Sequence, residues 1–333
     1  MHTGLIAAGN WIVDHVKLID AWPAQDTLAN ISSQSWGNGG SPYNILKDLA
    51  RLGAPFPLAA LGLVGDDADG RRILDDCRAT GIDTAQLRLT RDAPTSYTDV
   101  MSVQGTTHRT YFHQRGANAR LGPEHFDFAA TNARIFHLGY LLLLDRLDAP
   151  GVAPRLFAAA RAAGLQTSLD LVSEPSDRFR TVVLPVLPHL DYIFANDFEA
   201  EKLTDLMLGR GAALDRRAIE QAARALITQG VRAWAVIHFP EGACACSAAG
   251  ELVWQPGVRV PAAAIAGTAG AGDAFAAGVL LGLHEGWPMP RALELGVCAA
   301  AASLRQPTTS DAVAPVADCL ALGAQWGFQD APR

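Results

Sequence analysis

A single carboxylate, Asp273, follows the small residues Gly270, Ala271 and Gly272 in the stretch "AGTAGAGDAF" at 266–275. A glycine-rich turn that opens a helix leaves its backbone N–H groups unobstructed, and with the helix dipole they cradle an anion. An acid beside a resting phosphate is badly placed, because like charges repel. It is well placed if the anion is a phosphoryl group in transfer and the acid faces the attacking hydroxyl. Such transfer asks for in-line positioning, charge neutralisation and an oriented nucleophile, with little covalent work from the protein. The turn offers the N–H donors and Asp273 a base. The competing use of Asp273 is a helix N-cap, among the commonest roles of aspartate. The local pattern leaves both open.

The elements that must carry this turn alternate along the chain. "GLIAAGNWIVD" reads as a first strand, "PYNILKDLARLG" as a helix with an apolar stripe, and "FPLAALGLVG" as a buried strand. "DADGRRILDDCRATGI" follows as a capped helix, and the same alternation continues through "ARIFHLGYLL", "RLFAAARAAG", "QTSLDLV", "DYIFAND", "RRAIEQAARALITQG" and "AWAVIHF". This order predicts an α/β fold, a mostly parallel central sheet with helices on both faces. Ligands of such sheets sit beyond the carboxyl ends of the strands. That rule puts Asp14, Asp170, Asn196 and the 267–273 loop on one rim. Residues 15–36 and 95–115 break the alternation, the second as a hairpin turning near Gly105. Both leave strands whose ends face the expected site, so a single domain over 1–333 with a small β lid is expected. Arg115 and Asn118 fall where the lid returns to the body, within reach of substrate. His108 and His113 lie on opposite faces of the hairpin strand and make no metal pair.

Composition narrows the class. The 333 residues are 49% hydrophobic and carry a formal charge of −7, which argues against a general nucleic-acid or acidic-membrane surface. Five cysteines with no repeated CxxC spacing suit reduced thiols in a cytoplasm better than a disulfide framework. The N-terminal segment has no basic lead and reads as a strand, not a signal peptide. No apolar stretch approaches the roughly 20 residues of a membrane span.

Three stretches together resemble the ribokinase family, also called the PfkB carbohydrate kinases. "GAGDAF" at 270–275 is similar to its second signature, the run at 37–83 beginning "GNGGSPYNILKDLARLG" to its first, and "NDFEAEKLT" at 196–204 to its Asn-x-x-Glu motif. The resemblance implies a ribokinase-like fold and ATP-dependent phosphorylation of a sugar hydroxyl. It implies Asp273 as catalytic base and Gly270, Ala271 and Gly272 as the anion hole. Asn196 and Glu199 match the pair that organises magnesium and the phosphates, usually through water, and a hard cation that keeps its waters needs such oxygens nearby. Asp14, Gly39, Gly40 and Asn44 match the groups that line the sugar pocket. Thr268 and Gly242 fall on the nucleotide side.

Departures from the pattern concentrate on that side. Gly267 stands where the family commonly has an aspartate, Phe239 to Gly242 replaces a Gly-x-x-Gly turn, Cys298 replaces an asparagine, and "PTT" at 307–309 replaces a Gly-Ala. Family members use the aspartate to hold potassium, so Gly267 implies weak or absent potassium dependence. "GGSPYN" at 39–44 is closest to fructokinase-like members. Ser41 stands where sugar-phosphate kinases carry lysine, which favours a neutral sugar. A nucleoside kinase, with Tyr43 stacked on the base, is the alternative within the family. A sugar-binding protein without phosphoryl transfer is the alternative of another class. Exposed lid edges point to a homodimer.

Overall fold

The computed structural model describes residues 2–106 and 109–330, so His108 lies outside the described residues. The chain opens with β1 (Leu5–Gly9), β2 (Ile12–Ile19), β3 (Ile31–Gly39) and α1 (Ser41–Leu52). Then come β4 (Leu58–Gly65), α2 (Ala68–Ala79), β5 (Asp83–Thr90), β6 (Ser96–Val103), β7 (Arg109–Gln114) and β8 (Ile135–Gly139). Next are α3 (Val152–Ala162), β9 (Gln166–Asp170), β10 (Tyr192–Asn196), α4 (Asp197–Thr204) and α5 (Arg216–Thr228). β11 (Trp234–Phe239), β12 (Gly242–Ser247) and β13 (Leu252–Pro256) lead to α6 (Ala271–His284), α7 (Met289–Ser303) and α8 (Val316–Trp326).

Nine strands form one sheet in the order β13-β12-β11-β10-β9-β8-β1-β4-β5. Every pairing from β11 to β5 is parallel, and only β12 and β13 run antiparallel to their neighbours. A parallel sheet covered on both faces needs strands that are apolar throughout, and β1 is the clearest case. Leu5 and Ala7 pack into one core cluster with residues of α1, α6 and α7. Ile6 and Ala8 pack into the other, with residues of α3 and α5. Local signals set the helix ends. Gly53 closes α1 in the left-handed region at φ 79°. Asp67 caps α2 by accepting the Gly70 N–H at 2.8 Å.

The run "GLIAAGNWIVD" is not one strand. It divides at Asn10 and Trp11, where the chain leaves the large sheet and enters a four-stranded one ordered β3-β2-β6-β7. Trp11 is fully buried at the crossing and donates from Nε1 to Leu61 O at 2.9 Å. Asp14 therefore lies within β2 of the small sheet, not at the end of the first strand. A period-two apolar pattern cannot reveal the division, because the run stays buried through the crossing. The segments 15–36 and 95–115 contribute the strands of this small sheet, and the second reverses near Gly105, which has φ 74°. All five cysteines are unpaired and buried. Among the described residues, no helix is long and apolar enough to cross a membrane.

Candidate active site

The 267–272 turn delivers the chain into α6 at the carboxyl end of the large sheet. Gly270, not Asp273, is the N-cap, with φ 79°. Only glycine suits it, because a Cβ there would meet Thr309 O at 2.6 Å. Among the described residues the N–H groups of Gly270 and Gly272 find no acceptor, and that of Ala271 has only a long contact of 3.4 Å to Thr268 O. Unclaimed donors at a helix start are what an anion site requires.

Asp273 sits one turn into α6 and is 3% exposed. It makes no cap. Its Oδ2 accepts from Asn44 Nδ2 at 2.8 Å and from the Tyr140 hydroxyl at 3.1 Å. Tyr140 follows β8 in the left-handed region, with φ 60°. Two contacts hold that strained backbone: Tyr140 N–H donates to Asp170 O at 3.0 Å, and Asn10 Nδ2 donates to Tyr140 O at 2.9 Å.

Four acids share this cleft of about 430 Å3: Asp14, Asp170, Glu199 and Asp273. Burial raises the carboxyls of both Asp170 and Asp273, and the two are close enough to titrate together. Asp170, with the Asp273 and Glu199 charges facing it, is pushed well above the usual carboxylate range; Ser41 Oγ at 3.2 Å is a modest counterweight. Asp273 receives the Asn44 and Tyr140 donors, which favour its ionised form. The donors on Asp273 thus oppose its rise, while Asp170 faces like charges that add to its own. Burial also pushes Asp14 up to about 7, partly opposed by the Thr98 hydroxyl. The same cause pushes Glu199 up to about 7. His238 is held neutral by burial, its pKa lowered to about 4.

Asp14, Gly39, Gly40 and Asn44 all line this cleft. A Cβ at Gly39 would fall 2.5 Å from Asp14 Oδ1, so the bare backbone is what admits the acid. Arg115 and Asn118 are corrections. Asn118 is fully buried away from the cleft, accepting the Trp11 N–H at 3.1 Å and donating to Trp11 O at 3.2 Å. It satisfies the backbone where the chain changes sheets; losing it would leave those groups unpaired, at about 1–3 kcal/mol each. Arg115 is paired with Asp145 and donates to Leu142 O at 3.3 Å, and it too stands outside the cleft lining. Tyr43 is 4% exposed and packs against Trp11, its hydroxyl donating to Asp76 Oδ2, so it is not available to stack on a base.

A second cavity of about 470 Å3 meets the first along Asn196, His238, Thr268, Ala271 and Gly272. Gly242, Val258, Val260 and Leu304 give it an apolar wall. Where the cavities meet, Asn196 and Glu199 form a reciprocal capping box on α4: Asn196 Oδ1 accepts the Glu199 N–H at 2.9 Å and Glu199 Oε2 accepts the Asn196 N–H at 2.9 Å. Ser173 bridges them, accepting from Asn196 Nδ2 at 2.7 Å and donating to Glu199 Oε1 at 3.0 Å. No cluster of three or more His, Cys, Asp or Glu able to hold a metal occurs among the described residues. A pair of oxygen-bearing side chains already engaged in hydrogen bonds fits an ion that retains its water shell and suits no all-protein cage.

The pfkB family carbohydrate kinase pattern matches residues 7–316. The chain belongs to that family. Among its relatives, an ATP-dependent ribose-1-phosphate kinase of Halopiger xanaduensis is 30% identical over 319 residues, 95% of this chain and 96% of the relative. A 5-dehydro-2-deoxygluconokinase of Shouchella clausii is 27% identical over 291 residues, 85% of each chain. The fold is shared with an Arabidopsis thaliana ribokinase solved with ribose and ATP, at TM-score 0.80 and 20% identity over 97% of this chain and 99% of that one. The ribokinase-like α/β architecture expected from the sequence is thus observed. The kinase is a phosphotransferase with a hydroxyl acceptor.

Sequence reasoning placed Asp170 on the ligand rim without giving it a role and did not assign Tyr140, Thr98 or His238 to the site, yet all four line the kinase's cleft. Asp170 carried a usable signal, an acid at the end of a strand. Tyr140 carried less, since a left-handed tyrosine is set by its surroundings and not by any local motif.

Proposed function

We propose that the kinase transfers the γ-phosphoryl group of ATP to a hydroxyl of a small neutral sugar, with Asp273 as general base. The polarity of the cleft carries this reading: four carboxyl groups line it as hydrogen-bonding partners for hydroxyls, and among the described lining residues there is no lysine or arginine to pair with a second phosphate. Such a surface suits the hydroxyls of a neutral polyol and repels a second phosphate. Ser41, at the position of interest for an anionic sugar, is buried and turned toward Asp170 and His137.

In the reaction, the acceptor oxygen attacks the γ-phosphorus as its proton passes to Asp273. The bond to the bridging oxygen breaks and ADP leaves. The N–H groups of Gly270, Ala271 and Gly272 stabilise the charge on the transferred group. Asp14, Gly39, Gly40 and Asn44 position the sugar, and Thr268 and Gly242 border the nucleotide. Asn196 and Glu199 would hold magnesium through water, and that ion neutralises phosphate charge. The small sheet acts as a lid over the sugar. Exposed apolar side chains on it and on its β2–β3 connection, among them the stacked pair Trp22 and Phe112 at 51% exposure each, would be covered by a second copy in a homodimer. A cytoplasmic location, where ATP is at hand, goes with this reading.

The Halopiger relative, named for a sugar phosphate, supports a second reading in which the acceptor is phosphorylated. A coupled assay of ADP release over neutral ketoses and aldoses, sugar acids, ribose 1-phosphate and nucleosides tests both. The highest kcat/KM is expected for a neutral sugar. A preference of about tenfold or more for a phosphorylated acceptor would replace this reading with the second. Sugar binding with no turnover of any acceptor would mark a binding protein.

A further inference from the structure

Side chains alternate along a strand, so β7 presents Arg109, Tyr111 and His113 on one face. Tyr111 and His113 line the acceptor cleft. Arg109, at the end of that row, reaches past the sugar region to the glycine-rich turn. A Cβ built on Gly267 would lie 2.9 Å from Arg109 Nη2, 3.0 Å from Pro307 Cα and 3.1 Å from Gln306 O. A side chain at 267 and this guanidinium compete for the same space, and glycine leaves it to the arginine. Among the described residues the Arg109 side chain has no hydrogen bond, ion pair or ring contact, its backbone pairing opposite Ser102 in the β6–β7 ladder. Other arginines near the cleft are spent: Arg115 on Asp145, and Arg178 on Asp148 and Glu174. An unpaired guanidinium at the edge of an N–H cradle is a full positive charge beside partial ones, and its fork matches phosphate oxygens.

We propose that Arg109 is the side-chain cation of the phosphoryl-transfer site, engaging the terminal phosphate of the nucleotide donor from the small sheet. This rests on the kinase reading above. It gives the small sheet a task beyond covering the acceptor, because the strand that borders the sugar also carries the group that reads the triphosphate. An acceptor-borne anion is the other possible target. The position of Arg109 beside Gly267 and Pro307, beyond Tyr111 and His113, favours the donor.

The test is calorimetric titration of wild type and Arg109→Gln with magnesium AMP-PNP, magnesium ADP and the preferred acceptor, each alone. AMP-PNP binding is expected to weaken about tenfold, with ADP and acceptor binding changed less than about twofold, and Arg109→Lys recovering part of the loss. Turnover by Arg109→Gln should fall by about a hundredfold or more, as for other arginines that stabilise a transferring phosphoryl group. Equal weakening of AMP-PNP and ADP, unchanged binding of both, or a loss confined to the acceptor would each overturn the proposal. Binding needs no turnover, so failure of the kinase reading shows separately, as a wild type that binds no triphosphate or transfers nothing.

Discussion

Replacing Asp273 with asparagine separates its chemical role from its structural one. The substitution keeps shape, and the surroundings can accept it: Asn44 Nδ2, now 2.8 Å from Asp273 Oδ2, can still donate to the new amide oxygen. The new NH2 can donate to the Tyr140 hydroxyl, which stands 3.2 Å from Oδ1. The hydrogen bonds to Asn44 and Tyr140 are kept, and the cost of holding an ionised group at 3% exposure disappears. Apo stability should therefore stay within about 1 kcal/mol of wild type or rise. Loss of the general base should lower kcat by about 10²–10⁴-fold, roughly 3–5 kcal/mol of transition-state stabilisation. The assay is the coupled rate on the best acceptor, with thermal unfolding and calorimetric sugar binding on the same preparation. A variant with kcat within about fivefold of wild type would refute the assignment of Asp273 as base. Destabilisation by more than about 3 kcal/mol would mean that the carboxylate holds the site together instead.

Burial lifts Asp14 from 3.8 to about 7, so its contribution to stability is fully present below the usual carboxylate range and is lost as pH rises toward and through 7. At about 1.4 kcal/mol per unit this bounds the loss at about 4 kcal/mol. Asp14→Asn should flatten the fall in apo stability between about pH 4 and pH 8, and an unchanged slope in denaturant titrations would refute the argument. With glycine at 267 the turn lacks a carboxylate to hold a monovalent cation, so initial rates should be similar in potassium, sodium and tetramethylammonium at equal ionic strength. Activation by potassium of tenfold or more, about 1.4 kcal/mol, would contradict this. Light scattering at micromolar concentration should show a dimer; a sole monomer would remove the pairing of the small sheets, though not the small sheet itself.

What the sequence alone determined is what short-range physics encodes. The alternation of apolar strands and striped helices, the unobstructed turn at 270–272 and the acid that follows it all depend on residues within a few positions of one another. From these came the parallel sheet, the rim where ligands bind and the candidate base. The tertiary structure decided which groups meet across the chain. Asn44 and Asp273 are 229 residues apart in sequence and hydrogen-bonded in the fold. Asp170 reaches Asp273 only because β9 and the start of α6 end on the same rim. Long-range packing also removed residues that local patterns offered. Asn118 looked like a polar group near substrate, yet the unpaired backbone at Trp11 claimed both ends of its amide. Tyr43 looked free to stack, yet its place on the inner face of α1 put the ring in the core. Asp14 looked like a strand terminus, but the crossing at Asn10 and Trp11 carried it into a different sheet. A local pattern can specify a turn or a helix face. Whether a polar side chain serves a ligand or a buried backbone group depends on which neighbours the closed fold brings to it.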